Sequence, residues 1–274
     1  MLATFFLMLR EGLEAALIVG IVAAYLVKVG RRDALPKVAV GVVAAVALSV
    51  AIGLVVTLTI ERLPLAVKET LEGIAALTAV AVLTWMLFWM RRQGRALKGE
   101  LEHGVDLALT EGGTLALVAL SFIAVIREGV ETALFLIPIF SFNGTGLDTV
   151  AGGILGLAVA VGVGYAIFVV GVRVNLRRFF TVTGTILIFV AAGLVAFAIA
   201  EFGEAGLIPN AGQAFNLGAV LPDSGPLGSI LRGLFGYRSA PTPLELIGYV
   251  AYLIPVLVLF VLDRPLIQRP APAA

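Results

Sequence analysis

The chain alternates between long apolar runs and short charged or turn-rich breaks. Runs of about 20 apolar residues are what a helix needs to cross a bilayer. Seven such runs are read at roughly 3–27, 37–60, 67–90, 113–140, 149–172, 180–202 and 244–262. The breaks hold most of the basic residues. Lys28, Arg31, Arg32 and Lys37 follow the first run, and Arg91, Arg92, Arg95 and Lys98 follow the third. Arg173, Arg177 and Arg178 follow the fifth, and Arg264 and Arg269 follow the seventh. On the opposite side stand only Arg62, Lys68, Arg232 and Arg238. The positive-inside rule then places the N-terminus outside and the C-terminus in the cytoplasm, as an odd number of spans requires. The pattern predicts an all-α, polytopic helix bundle as one transmembrane domain, residues 1–274.

Composition sharpens that class. Of 274 residues, 60% are hydrophobic and 14% charged, where a soluble domain carries roughly 25%. Mean hydropathy is +1.08. A net charge of +1 gives no electrostatic case for a nucleic-acid partner. There is no cysteine and one histidine, His103, which removes thiolate sites and multi-imidazole sites together. The first run lacks a basic leader region, carries Arg10, Glu11 and Glu14, and reaches Lys28 without a cleavage signal, so it is read as a span.

Two runs are broken by charge in the same way. Arg10-Glu11-Gly12-Leu13-Glu14 lies in the first and Arg127-Glu128-Gly129-Val130-Glu131 in the fourth. An ionised carboxylate in hydrocarbon costs several kcal/mol unless it is paired or serves a task. Two copies argue against accident. With three spans between them, the second copy enters the membrane with reversed polarity. Residues 1–90 and 113–202 are therefore read as an inverted repeat of three spans each, with the site at their interface. Span 244–262 stands outside the repeat. The break at 91–112 is charged (Glu100, Glu102, His103, Asp106, Glu111) and partly helical; a metal exit site there is weighed against a solvated face, and the solvated face preferred. The external stretch 203–243 is rich in Gly and Pro, with a short helix expected near 226–236.

The carboxylates come in pairs. Glu11 and Glu14, Glu128 and Glu131, Glu69 and Glu72, and Glu201 and Glu204 are each three residues apart, so each pair shares one helix face. The first two pairs lie near mid-membrane and the other two near the external mouth. Eight of the eighteen acidic residues fall in these pairs, enough to make an acidic mouth above an acidic interior that concentrates cations. Oxygen-only donors suit hard or borderline cations: ferric or ferrous iron, manganese, calcium or magnesium. Arg10 and Arg127 balance part of this charge. A glutamate-dependent intramembrane enzyme is disfavoured: His103 is in a break, and Asn143, Asn175, Asn210 and Asn216 lie near or outside span ends. Trp85, Trp89 and Tyr25 are placed at the cytoplasmic interface.

These motifs resemble those of the oxidase-dependent iron transporters, the family of the fungal high-affinity iron permease and the bacterial Efe-type permease. The resemblance rests on the duplicated Arg-Glu-Gly-x-Glu, on Glu69-x-x-Glu72-Gly73-Ile74 and on Glu201-x-x-Glu204-Ala205-Gly206, and covers most of the chain. It implies an iron permease of the cytoplasmic membrane, with iron as transported substrate and no organic cofactor. It implies Glu11, Glu14, Glu128 and Glu131 as the translocating carboxylates. It also implies an extracytoplasmic oxidase, peroxidase or cupredoxin-like partner. Relatives that handle lead or other divalent metals make a broader metal transporter the alternative. Bacterial members often carry His and Gln just before the two span-six glutamates; here Ala200 and Gly203 stand there.

Overall fold

The computed structural model describes residues 1–60, 62–93, 97–110, 113–143, 146–170, 175–209, 212–223 and 225–262. The side chains of Arg91, Arg92, Arg95, Lys98, Glu111, Asn143, Arg173, Arg177, Asn210, Arg264 and Arg269 fall outside the described residues. All regular structure among the described residues is helical. In chain order the helices are α1 (Leu2–Lys28), α2 (Leu35–Ile60), α3 (Leu65–Gln93), α4 (Leu97–Thr110), α5 (Gly113–Asn143), α6 (Leu147–Tyr165), α7 (Leu176–Glu204), α8 (Pro226–Phe235) and α9 (Pro243–Leu262). Helix α6 runs on into a π-helical turn at Ala166–Val170.

The helix ends follow local chemistry. Gly30 takes φ +79° after α1, a left-handed step that a β-carbon would oppose. The Asn175 side chain caps α7, accepting from the Arg178 amide at 3.0 Å. Pro226 opens α8 and Gly236 closes it at φ +67°. Among the described residues, five helices are long and apolar enough to cross a membrane: those within Arg32–Ile60, Leu65–Met90, Leu147–Phe168, Arg178–Glu204 and Pro243–Leu262. Helices α1 and α5 are as long, at 27 and 31 residues, but carry the charged motifs. Rows of exposed Val, Leu and Ile on α2, α6 and α9 form the apolar exterior expected of a bundle solvated by lipid.

Helix α1 packs chiefly on α6, α2 on α5, α3 on α7, and α9 on α7. Small residues permit the close approaches. A β-carbon at Gly12 would meet Ala160 and Leu157 of α6, and one at Gly129 would collide with Ser49 of α2. The same exchange holds in reverse: Gly41 of α2 abuts the α5 backbone at Val118 and Phe122, and Gly156 of α6 abuts the α1 backbone at Phe5 and Leu9. Gly152, Gly153 and Gly164 also face α1, so this stripe on α6 serves internal packing.

The apolar core includes Leu7, Leu83, Met86, Phe135, Ile139, Leu187 and Ile188, none more than 1% exposed, and joins α1, α3, α5 and α7. Segment 203–243 does more than cover the bundle. Gly236 at the end of α8 touches Gly193 of α7, eleven residues before that helix ends, or about 16 Å along it. Gly233 lies beside Leu2 and Ala3. Helix α8 thus penetrates to the start of α1. The segment is tied down by Asp223, which accepts from the Ser239 amide and hydroxyl, each at 2.8 Å.

Candidate functional site

The two charged motifs meet where α1 crosses α5. Carboxylate oxygens of Glu11, Glu128 and Glu131 all lie within 4.8 Å of one another, close enough to share one ion. Among the described residues no other group of three or more potential metal ligands is so close. Glu11 and Glu128 are 2% and 4% exposed. One oxygen on each of the three, Oε2, is buried and accepts no hydrogen bond. A protein carboxylate left in that state is a standing penalty, and a cation removes it.

Glu14 belongs to the same neighbourhood but not to that triangle. Its Oε1 is ion-paired with Arg10 Nη2 at 3.1 Å. The Arg10 guanidinium also donates from Nη1 to Glu11 Oε1 at 3.0 Å and from Nη2 to the Met90 sulfur at 3.1 Å. Arg10 is fully enclosed, at 1% exposure. Its counterpart Arg127 is 45% exposed. It donates from Nε to Glu131 at 3.1 Å, stands 3.7 Å from Glu128, and lies over the Trp89 ring with 5.0 Å to the centroid. The motifs match in sequence, but their arginines sit in different surroundings, and both reach the end of α3.

The outer pairs form a second acidic region, where the start of α3 meets the end of α7. Glu69, Glu72 and Glu201 are buried and Glu204 is exposed. Glu201 lies in the field of Glu72, Glu204 and Glu69, with Arg238 opposing them. Lys68 stands 3.9 Å from Glu72. These four carboxylates are not drawn into the central triangle. Helix α3 links the regions, since Glu72 and Met90 are eighteen residues apart on it, about 27 Å. Between them lies the apolar layer of Leu7, Leu83, Phe135 and Leu187.

Sequence reasoning missed three participants. Met90 gives no signal in the sequence, being one more apolar residue at a span end. Trp89, read as an interface anchor, carries a guanidinium on its ring face. Glu245, 2% exposed at the start of α9, pairs with Arg238 at 3.2 Å and accepts from Thr242 at 3.1 Å. His103 is exposed on α4 and outside any three-ligand group among the described residues. Its neighbour Asp106 accepts from the Tyr25 hydroxyl at 2.8 Å, which fastens α4 to α1.

Residues 1–267 match the iron permease FTR1 family. The chain is 45% identical to a protein of Yersinia pestis named ferrous iron permease EfeU, over 96% of this chain and 94% of that one. It is 46% identical to the protein of that name from Yersinia pseudotuberculosis, over 94% and 91%. For the Escherichia coli protein of that name the identity is 43%, over 96% of each chain. No solved structure matches the chain.

Proposed function

As the chain belongs to the iron permease FTR1 family, we propose that it takes up iron across the cytoplasmic membrane on its intramembrane glutamates. Iron gathers at Glu69, Glu72, Glu201 and Glu204, sheds water, and passes to Glu11, Glu128, Glu131 and Glu14. The observation that carries this reading is the triangle of carboxylates, two of them buried and Glu131 partly so, each with a buried oxygen that accepts no hydrogen bond.

The transported ion is ferrous. Relatives 43% to 46% identical are named for ferrous iron. The charge balance favours it too: four central carboxylates against the guanidiniums of Arg10 and Arg127 leave two negative charges, which one divalent cation neutralises. Charge balance is the cheapest state for ions away from water. In reconstituted proteoliposomes under anoxia, ferrous uptake should exceed ferric, manganous and lead uptake with no other protein added. Equal uptake of the divalent ions would make this a broad metal carrier. A requirement for added oxidase would restore the extracytoplasmic partner and ferric substrate. Absence of any metal uptake would sink the proposal.

The route is built on seven spans, α1, α2, α3, α5, α6, α7 and α9, with 1–90 and 113–202 as inverted repeats. Reciprocal packing supports this: α1 on α6 is mirrored by α5 on α2, with each motif glycine at the contact. The arrangement puts the turn after α1 in the cytoplasm and the start of α6 outside. Asp33→Cys should be labelled only from the cytoplasmic side and Leu147→Cys only from outside, in a chain with no other cysteine. Labelling of both from one side would rule the arrangement out.

A further inference from the structure

We propose that Met90 is a sulfur ligand on the ion's route, and that Arg10 stands in for the ion there until one arrives. This rests on the uptake route proposed above. The Arg10 guanidinium is a buried cation with three electron-rich groups around it: it donates to Glu11 Oε1 at 3.0 Å and to Met90 Sδ at 3.1 Å, and it is ion-paired with Glu14 Oε1 at 3.1 Å. Two carboxylates and a thioether converging on one buried positive charge also make a donor set for a borderline metal ion.

Glu11 belongs to both groups. Its Oε1 is held by Arg10, while its carboxylate also reaches the triangle with Glu128 and Glu131, and its Oε2 accepts no hydrogen bond. An ion held by Glu128 and Glu131 therefore competes with Arg10 for the charge of Glu11. Once the ion takes that charge, Arg10 loses one of its two ion pairs and can withdraw. Glu11, Glu14 and Met90 then form the next station. When the ion leaves, the guanidinium returns to Glu11 and Glu14.

Sulfur at this station sets selectivity. A thioether is a soft donor, acceptable to ferrous iron and poor for magnesium, calcium, manganous and ferric ions. It is the donor at this station that tells ferrous iron from hard cations, since Glu11 and Glu14 offer carboxylate oxygens. The competing account is that Met90 is a flexible filler whose sulfur merely accepts from Arg10.

The test titrates the purified protein with ferrous and manganous ions under anoxia and records iron-edge X-ray absorption on the loaded form. Met90→Leu keeps apolar volume and removes the sulfur. The wild type should show a sulfur scatterer among oxygens that the variant lacks, with ferrous affinity about tenfold weaker in the variant and manganous affinity unchanged. An oxygen-only shell in iron-loaded wild type would overturn the role of Met90 and leave the carboxylate route standing. Equal weakening for both ions would assign Met90 to packing and overturn it likewise. Failure of the wild type to retain any ion would overturn the route itself, and Met90 with it.

Discussion

Glu128→Gln is expected to abolish iron uptake while leaving the protein folded in the membrane, with stability equal to or above that of the wild type. The two halves of this expectation have one cause. Glu128 is 4% exposed, belongs to the triangle with Glu11 and Glu131, and has one oxygen that accepts no hydrogen bond. Like charges that close repel, so a neutral amide of the same shape relieves the apo protein. The same amide is a far weaker metal ligand. Loss even of groups that only orient ligands lowers metal affinity ten- to a hundredfold, so loss of a ligand itself should lower it by about a hundredfold or more. The measurements are ion uptake in proteoliposomes and thermal unfolding in detergent. A variant with normal uptake would remove Glu128 from the route. A variant that loses uptake only because it unfolds would make the carboxylate structural.

Arg10→Ala is expected to destabilise the protein severely, and Arg127→Ala only slightly, although the two arginines occupy equivalent places in the repeated motif. Arg10 is enclosed and neutralises Glu11 and Glu14, which have no water to turn to. Removing one member of a buried ion pair typically costs about 3–5 kcal/mol, because the other charge remains. Arg127 is half exposed, so its bond to Glu131 is worth about 1 kcal/mol or less, with a modest contribution from the Trp89 ring. Unfolding of the two variants side by side checks this. Saturating ferrous ion should recover part of the Arg10→Ala loss, since a bound cation replaces the missing charge. Equal effects of the two substitutions would contradict the asymmetry of their surroundings.

The features legible in the sequence were those in which one residue type is out of place locally. Charges in apolar runs announced Glu11, Glu14, Glu128 and Glu131, and the structure joins three of them in one triangle. Helix bounds were legible for the same local reason: the run at 3–27 becomes Leu2–Lys28, and the helix expected near 226–236 becomes Pro226–Phe235. Pairing between helices was not legible. The partner of Gly156 is the α1 backbone at Phe5 and Leu9, and nothing near Gly156 in sequence points there. The difference between Arg10 and Arg127 was invisible too, since it arises from what α3 brings to each, Met90 in one case and Trp89 in the other. The depth reached by α8 depends on two glycines, Gly193 and Gly236, that are far apart in the chain and meet only in the fold.

The reciprocal packing of α1 on α6 and of α2 on α5 has a consequence for biogenesis. Helix α1 leaves the ribosome early with a charged face, and its main covering helix does not begin until Leu147. At usual synthesis rates that interval lasts on the order of ten seconds. Through it, Arg10, Glu11 and Glu14 have each other, Met90 once α3 has emerged, and whatever the insertion machinery offers. Helix α2 likewise waits for α5. The first half is thus held open as a template until the second is threaded into it. Premature release into lipid, more than a slow later step, is where this chain is most exposed to misassembly.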